Sequence, residues 1–80
     1  MDKYKQYLIK HIAQRNSIDE NEIDINLDIF ENSYIDSIGI FTLLVEIEDD
    51  LGIILDLEDI SSLELYSINK IAFLMESKCQ

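Results

Sequence analysis

Hydrophobic positions along the chain fall into three helical stripes, one short turn and one alternating run. In the first stripe Tyr4, Tyr7, Leu8 and Ile12 recur at the helical period with His11 among them, which predicts an amphipathic helix over residues 2–15. Asp2 can cap its start, and Asn16 is a plausible stop. A second helix is expected over Ser37–Leu51, closed by Gly52 as the left-handed residue that follows many helices. A short turn is expected after Asp56, over Leu57–Ser61. The last helix begins behind Ser67, a good N-cap, and sets Ile68, Ile71, Ala72 and Met75 on one face.

The run Ile23-Asp24-Ile25-Asn26-Leu27-Asp28-Ile29 alternates strictly, which is a strand signal. No second alternating segment exists to pair with it, and a lone strand is not stable. Residues 16–36 are therefore expected to form a long ordered loop whose apolar side chains, Phe30 included, lie against the helices. A loop of that length in so small a domain is often functional.

The second helix carries more apolar surface than one buried face needs. At about 100° per residue, Ile40, Leu43, Leu44, Ile47 and Leu51 form one broad stripe, the expected core face. Ile38, Phe41 and Val45 form a second, rotated by more than a quarter turn. Thr42, Glu46 and Asp50 occupy the polar sector behind. An apolar stripe rimmed by Glu48 and Asp49 has the make-up of a docking surface. Ser37 stands at the helix start just after the expected cap Asp36, where unpaired N–H groups and the positive end of the dipole favour an anion such as a phosphate ester.

Eighty residues, 48% hydrophobic, suffice for one small core, and the chain is read as a single domain over residues 1–80. It has no proline, two glycines, no repeats and no apolar run near the ~18 residues of a membrane span. Met1-Asp2-Lys3 does not open a secretory leader, so a cytoplasmic monomer without membrane insertion is expected. The single cysteine, Cys79, permits neither a disulfide framework nor a thiol metal cluster and is read as an inert tail residue. The net charge is −11, and all six basic residues lie near the two ends. Fifteen of the seventeen acids, all but Asp2 and Glu76, fall between Asn16 and Asn69. Such a field repels nucleic acid and steers the protein toward basic surfaces on other proteins.

Asp36-Ser37-Ile38, followed by the acidic helix with Glu46, Glu48, Asp49 and Asp50 and then by Leu51-Gly52-Ile53, resembles the acyl carrier and peptidyl carrier proteins over nearly the whole chain. The resemblance implies an all-α bundle of three longer helices and one short helix, with a long first loop. Phe30, six residues before Asp36, stands where that family usually has an apolar anchor. By the same resemblance Ser37 would receive 4′-phosphopantetheine from coenzyme A, through a separate Mg²⁺-dependent phosphopantetheinyl transferase. Cargo would ride on the arm's thiol as a thioester. The chain would catalyse nothing; it would present its cargo to a cargo-loading ligase or adenylation enzyme and to downstream acyl-processing or transfer enzymes. Ile38, Phe41 and Val45 would make the apolar contacts, while Glu48 and Asp49 meet basic residues.

Some positions depart from the fatty-acid carriers, which usually have acids where Gly39 and Thr42 stand here. Asp-Ser-Ile-Gly, with Ile-Phe-Glu-Asn-Ser-Tyr-Ile-Asp-Ser before it and the late Ser-Ile-Asn-Lys-Ile, looks more like the D-alanyl carriers of teichoic acid modification or stand-alone aminoacyl carriers. Phe41 and Thr42 depart from those as well, and Ile54-Leu55-Asp56 stands where a proline is usual. The cargo stays open. The rival reading is an unmodified acidic interaction module. Asp24, Asn26 and Asp28 have the opening spacing of a calcium loop, but Ile29 and Ile35 stand where its glycine and glutamate are needed, so no metal is expected. His11 lacks a second histidine or a nearby cysteine and is read, like Tyr34 and Tyr66, as a packing residue.

Overall fold

Local hydrogen bonding fixes where the helices begin and end. The computed structural model of the chain describes residues 2–31 and 34–78, so Cys79 lies outside the described residues. It contains α1 (Asp2–Asn16), α2 (Ser37–Leu51), α3 (Leu57–Ser61) and α4 (Ile68–Lys78), with a 3₁₀ turn at Glu20–Glu22 inside the first loop. This is the expected all-α arrangement of three longer helices and one short one. The Asp36 carboxylate caps α2 by accepting from the Gly39 N–H at 2.6 Å, and Gly52 ends it at φ 69°, ψ 18°. Asp56 and Asp59 form a reciprocal capping box at α3. Ser67 Oγ accepts from the Lys70 N–H at 3.2 Å at the start of α4.

The first helix runs one residue beyond its expected end. Asn16 stops it with a side chain that donates to Ile12 O at 2.9 Å and to Tyr34 O at 2.8 Å, tying the end of α1 to the end of the long loop. Tyr4, Leu8 and Ile12 are buried against Ile40, Leu43, Leu44 and Ile47 of α2 and Ile68, Ile71, Ala72 and Met75 of α4. Leu51 is a correction. Expected in the core, it is 37% exposed, because the last residue of α2 projects past the neighbours that cover Leu44 and Ile47.

The long loop packs as expected, with Ile23, Ile29 and Ile35 buried and Ile25 and Phe30 partly so; Leu27 alone of the alternating apolar set is exposed. Its alternation does find a partner, though for a single residue. Asp28 bridges Ser67 in antiparallel fashion, flanked by Ile29 N–H donating to Tyr66 O (2.9 Å) and Asn69 N–H to Ile25 O (3.1 Å). Phe30 and Tyr66 meet edge to face, 5.2 Å between centroids. The loop is thus ordered by being sewn to the start of α4, a long-range contact that no local pattern encodes.

Several acids prove to be construction rather than coat. Asp19, Asp24, Asp28, Asp36 and Asp56 each accept a backbone N–H two or three residues on, holding turns that a chain without proline must make in another way. Asp59 has its carboxyl held below the usual range, first by the Asp56 N–H and then by Lys78 at 3.0 Å. Among the described residues the Lys and Arg ion pairs are Lys78–Asp59 and Arg15–Glu46. Most of the −11 charge is therefore uncompensated in a body of 31 × 22 × 20 Å. At ~0.01 M salt the screening length is about 30 Å, the size of the molecule, and at ~0.15 M about 8 Å. The melting temperature is expected to rise over that range as self-repulsion fades. A scanning calorimetry trace that stays flat or falls would show the exposed pairs outweighing the repulsion.

Candidate functional site

The site is built on the amino-terminal half of α2. Asp36, in extended conformation, turns the chain into the helix, and Ser37 is the first helical residue; the Ser37 side chain lies outside what is described. The first N–H groups of a helix lack partners within it. Asp36 takes that of Gly39, leaving those of Ser37 and Ile38 at the positive end of the helix. Beside them Ile38 is 77% exposed, so this end of α2 opens to solvent.

Gly39 is there for space. A Cβ on it would fall 2.7 Å from Cγ1 of the buried Ile35, 3.1 Å from the capping Asp36 oxygen and 3.5 Å from Arg15 Nη1. The entry loop and the end of α1 close onto α2 where a side chain would stand. Gly39→Ala is expected to destabilise by about 1–3 kcal/mol through overpacking, which exceeds the gain of up to ~1 kcal/mol from alanine's helix propensity. Urea melts of parent and variant measure the difference; equal stability would mean that Ile35 yields.

The second apolar stripe of α2 is exposed, with Phe41 at 52% and Val45 at 56%. Phe41, Val45 and Glu48 line a shallow groove of about 310 Å³ whose other wall is Leu55, Asp56 and Leu57. Leu57 and Ile54, both exposed, extend the patch beyond α2. Neither is among the contacts expected from the sequence. The signal was Ile53-Ile54-Leu55, where Ile53 and Leu55 turn inward and Ile54 must then turn out.

The polar sector of α2 is engaged by α1. Tyr7 donates to Asp50 at 2.8 Å and stacks on His11 at 4.1 Å. The His11 ring has Nδ1 3.2 Å from Glu46 and Nε2 3.9 Å from Asp50, and Arg15 reaches Glu46 at 3.3 Å. Burial, the bond to Asp50 and the surrounding negative charge push the Tyr7 phenol well above its ordinary pKa. Glu46 and Asp50 are thus spent on the fold. Glu48 and Asp49 stay exposed and without a side-chain partner among the described residues. No group of three or more His, Cys, Asp or Glu among the described residues could hold a metal ion, and Asp24 and Asp28 point at backbone N–H groups instead.

A second apolar groove, about 410 Å³ and open to solvent, is lined by Phe30, Ile40, Leu57, Ile60, Ser61 and Tyr66. No helix among the described residues is long and apolar enough to cross a membrane. A protein-family model described as the phosphopantetheine attachment site matches residues 6–72, from the first turns of α1 into α4. No curated protein and no solved structure matches the chain significantly.

Proposed function

Because the chain belongs to the phosphopantetheine-attachment family, whose domains are non-catalytic carriers with a covalent 4′-phosphopantetheine arm, we propose that Ser37 bears that arm in this protein. The observation that carries the reading is the start of α2, where a serine opens a solvent-facing helix and the neighbouring aspartate already caps it. The residues present fit the group. The Ser37 and Ile38 N–H groups would hold the phosphodiester, and Gly39 lets the entry loop close behind it. The arm, once attached, supplies a thiol on which cargo rides as a thioester.

The rest of the work falls to the surface of α2. Ile38, Phe41 and Val45, with Leu57 across the groove, would bury apolar area against an enzyme, while Glu48 and Asp49 meet its basic rim. Exposed charge pairs are individually weak, which suits a carrier that must leave each partner quickly. The partners in this reading are a phosphopantetheinyl transferase, a loading ligase or adenylation enzyme and acyl-processing or transfer enzymes. The transferase draws its arm from coenzyme A, which fits a cytoplasmic location.

The cargo in this reading is an acyl or aminoacyl group. The groove of Phe30, Ile40, Leu57, Ile60 and Tyr66 offers an apolar acyl chain an aromatic and aliphatic wall to lie against. The D-alanyl alternative leans on Asp-Ser-Ile-Gly, yet Gly39 has a packing reason of its own beside Ile35, so it does not select a cargo. Intact mass after incubation with coenzyme A and a broad-range transferase tests the carrier reading. One arm per chain is the expected gain. No gain under conditions that load a control carrier leaves the unmodified interaction module.

A further inference from the structure

In a chain of net charge −11, one open groove gathers two lysines. Lys5 on α1 and Lys70 on α4 line this groove of about 530 Å³ together with Asn26, Asn69, Leu65 and Phe73. Neither makes an ion pair among the described residues, nor do Lys3 and Lys10. No described acid lines the groove. Phe73 is 64% exposed and Leu65 39%, although α4 buries Ile71, Ala72 and Met75 one face away. Two free cations beside two exposed apolar side chains complement an acidic surface with apolar side chains of its own.

None of the groove's lining residues belongs to α2. Arg15 sits against Gly39 at the start of α2, while Tyr7 reaches Asp50 near its end, so α1 and α2 run antiparallel. Lys5 is ten residues before Arg15, about 15 Å along the helix. A partner in the groove leaves the Ile38, Phe41 and Val45 stripe uncovered.

We propose that this groove docks an acidic amphipathic segment of a partner polypeptide, and so tethers the protein while α2 stays free for a second, different partner. The acidic face of another copy has a similar make-up, but it brings a whole chain of −11 against this field, whereas a short segment brings only its own few charges to the two lysines. The tether does not depend on which residue carries the arm.

The test titrates the ¹⁵N-labelled full chain with a synthetic helical peptide bearing Glu on one face and Leu and Phe on the other, and with an analogue in which Lys replaces every Glu. The acidic peptide is expected to shift the amides of Lys5, Asn26, Asn69, Lys70 and Phe73, and more weakly as salt rises. Lys5→Glu with Lys70→Glu should reduce its affinity about tenfold, and Lys10→Glu, elsewhere on α1, should leave it unchanged. If the double reversal fails to fold, Lys70→Gln carries the test with a loss of about threefold. The proposal is overturned if the acidic peptide shifts α2 or scatters over the surface, or if the lysine variants bind it as the parent does. It is equally overturned if sedimentation shows the parent self-associating through this groove, or if octanoate alone displaces the peptide at equal concentration.

Discussion

Ser37→Ala keeps the parent's helical content and melting temperature and gains no phosphopantetheine mass: that is the expected result with the largest effect, all or nothing. Stability should hold because the cap belongs to Asp36, whose carboxylate takes the Gly39 N–H whatever stands at position 37. Alanine in the first turn is a good helix former, so the change should stay within about 0.5 kcal/mol. The other serine at the head of a long helix supplies the contrast. Ser67 is 2% exposed, and its hydroxyl caps Lys70, so a transferase cannot reach it. Ser61, Ser62 and Ser77 lie at helix ends with hydroxyls bonded to carbonyls of the preceding turn, far from any cluster of free N–H groups. Intact mass of parent and variant after identical treatment decides the matter. A variant that still gains the arm would move the site away from Ser37.

The same two serines mark what was legible in the sequence and what was not. Helix limits were readable wherever a cap is local: Asp36 with Gly39, Gly52 with Glu48, Asp56 with Asp59. The two faces of α2 were readable because helical period alone separates Ile38, Phe41 and Val45 from Ile40, Leu43 and Ile47. What escaped depends on elements distant in the chain. The bridge of Asp28 to Ser67, the reach of Tyr7, His11 and Arg15 to Glu46 and Asp50, and the meeting of Lys5 with Lys70 each join residues more than thirty positions apart. Leu51 was misplaced for a related reason. Period gives a direction around the helix axis, while burial also depends on how far along that axis the neighbours extend.

Phe41→Ala and Ile47→Ala should behave oppositely although six residues of one helix separate them. Ile47 is fully buried and Leu43 1% exposed, both facing α1 and α4, so truncating either should cost about 2–5 kcal/mol in lost transfer energy and cavity. For 80 residues the total stability is on the order of 4–12 kcal/mol, and Ile47→Ala is expected to leave a substantial unfolded population in mild urea. Phe41, 52% exposed on the groove wall, gives up little by truncation, within about 1 kcal/mol. Its loss should appear in docking instead. A central aromatic of an interface is worth about 2 kcal/mol or more, so kcat/KM for modification by the transferase should fall ~30-fold while the melting temperature drops by no more than about 4–8 °C. Denaturant titrations of the two variants, with modification kinetics of Phe41→Ala, separate the roles. If Phe41→Ala proves as destabilising as Ile47→Ala, the outer stripe serves the core, and recognition must rest on Glu48 and Asp49.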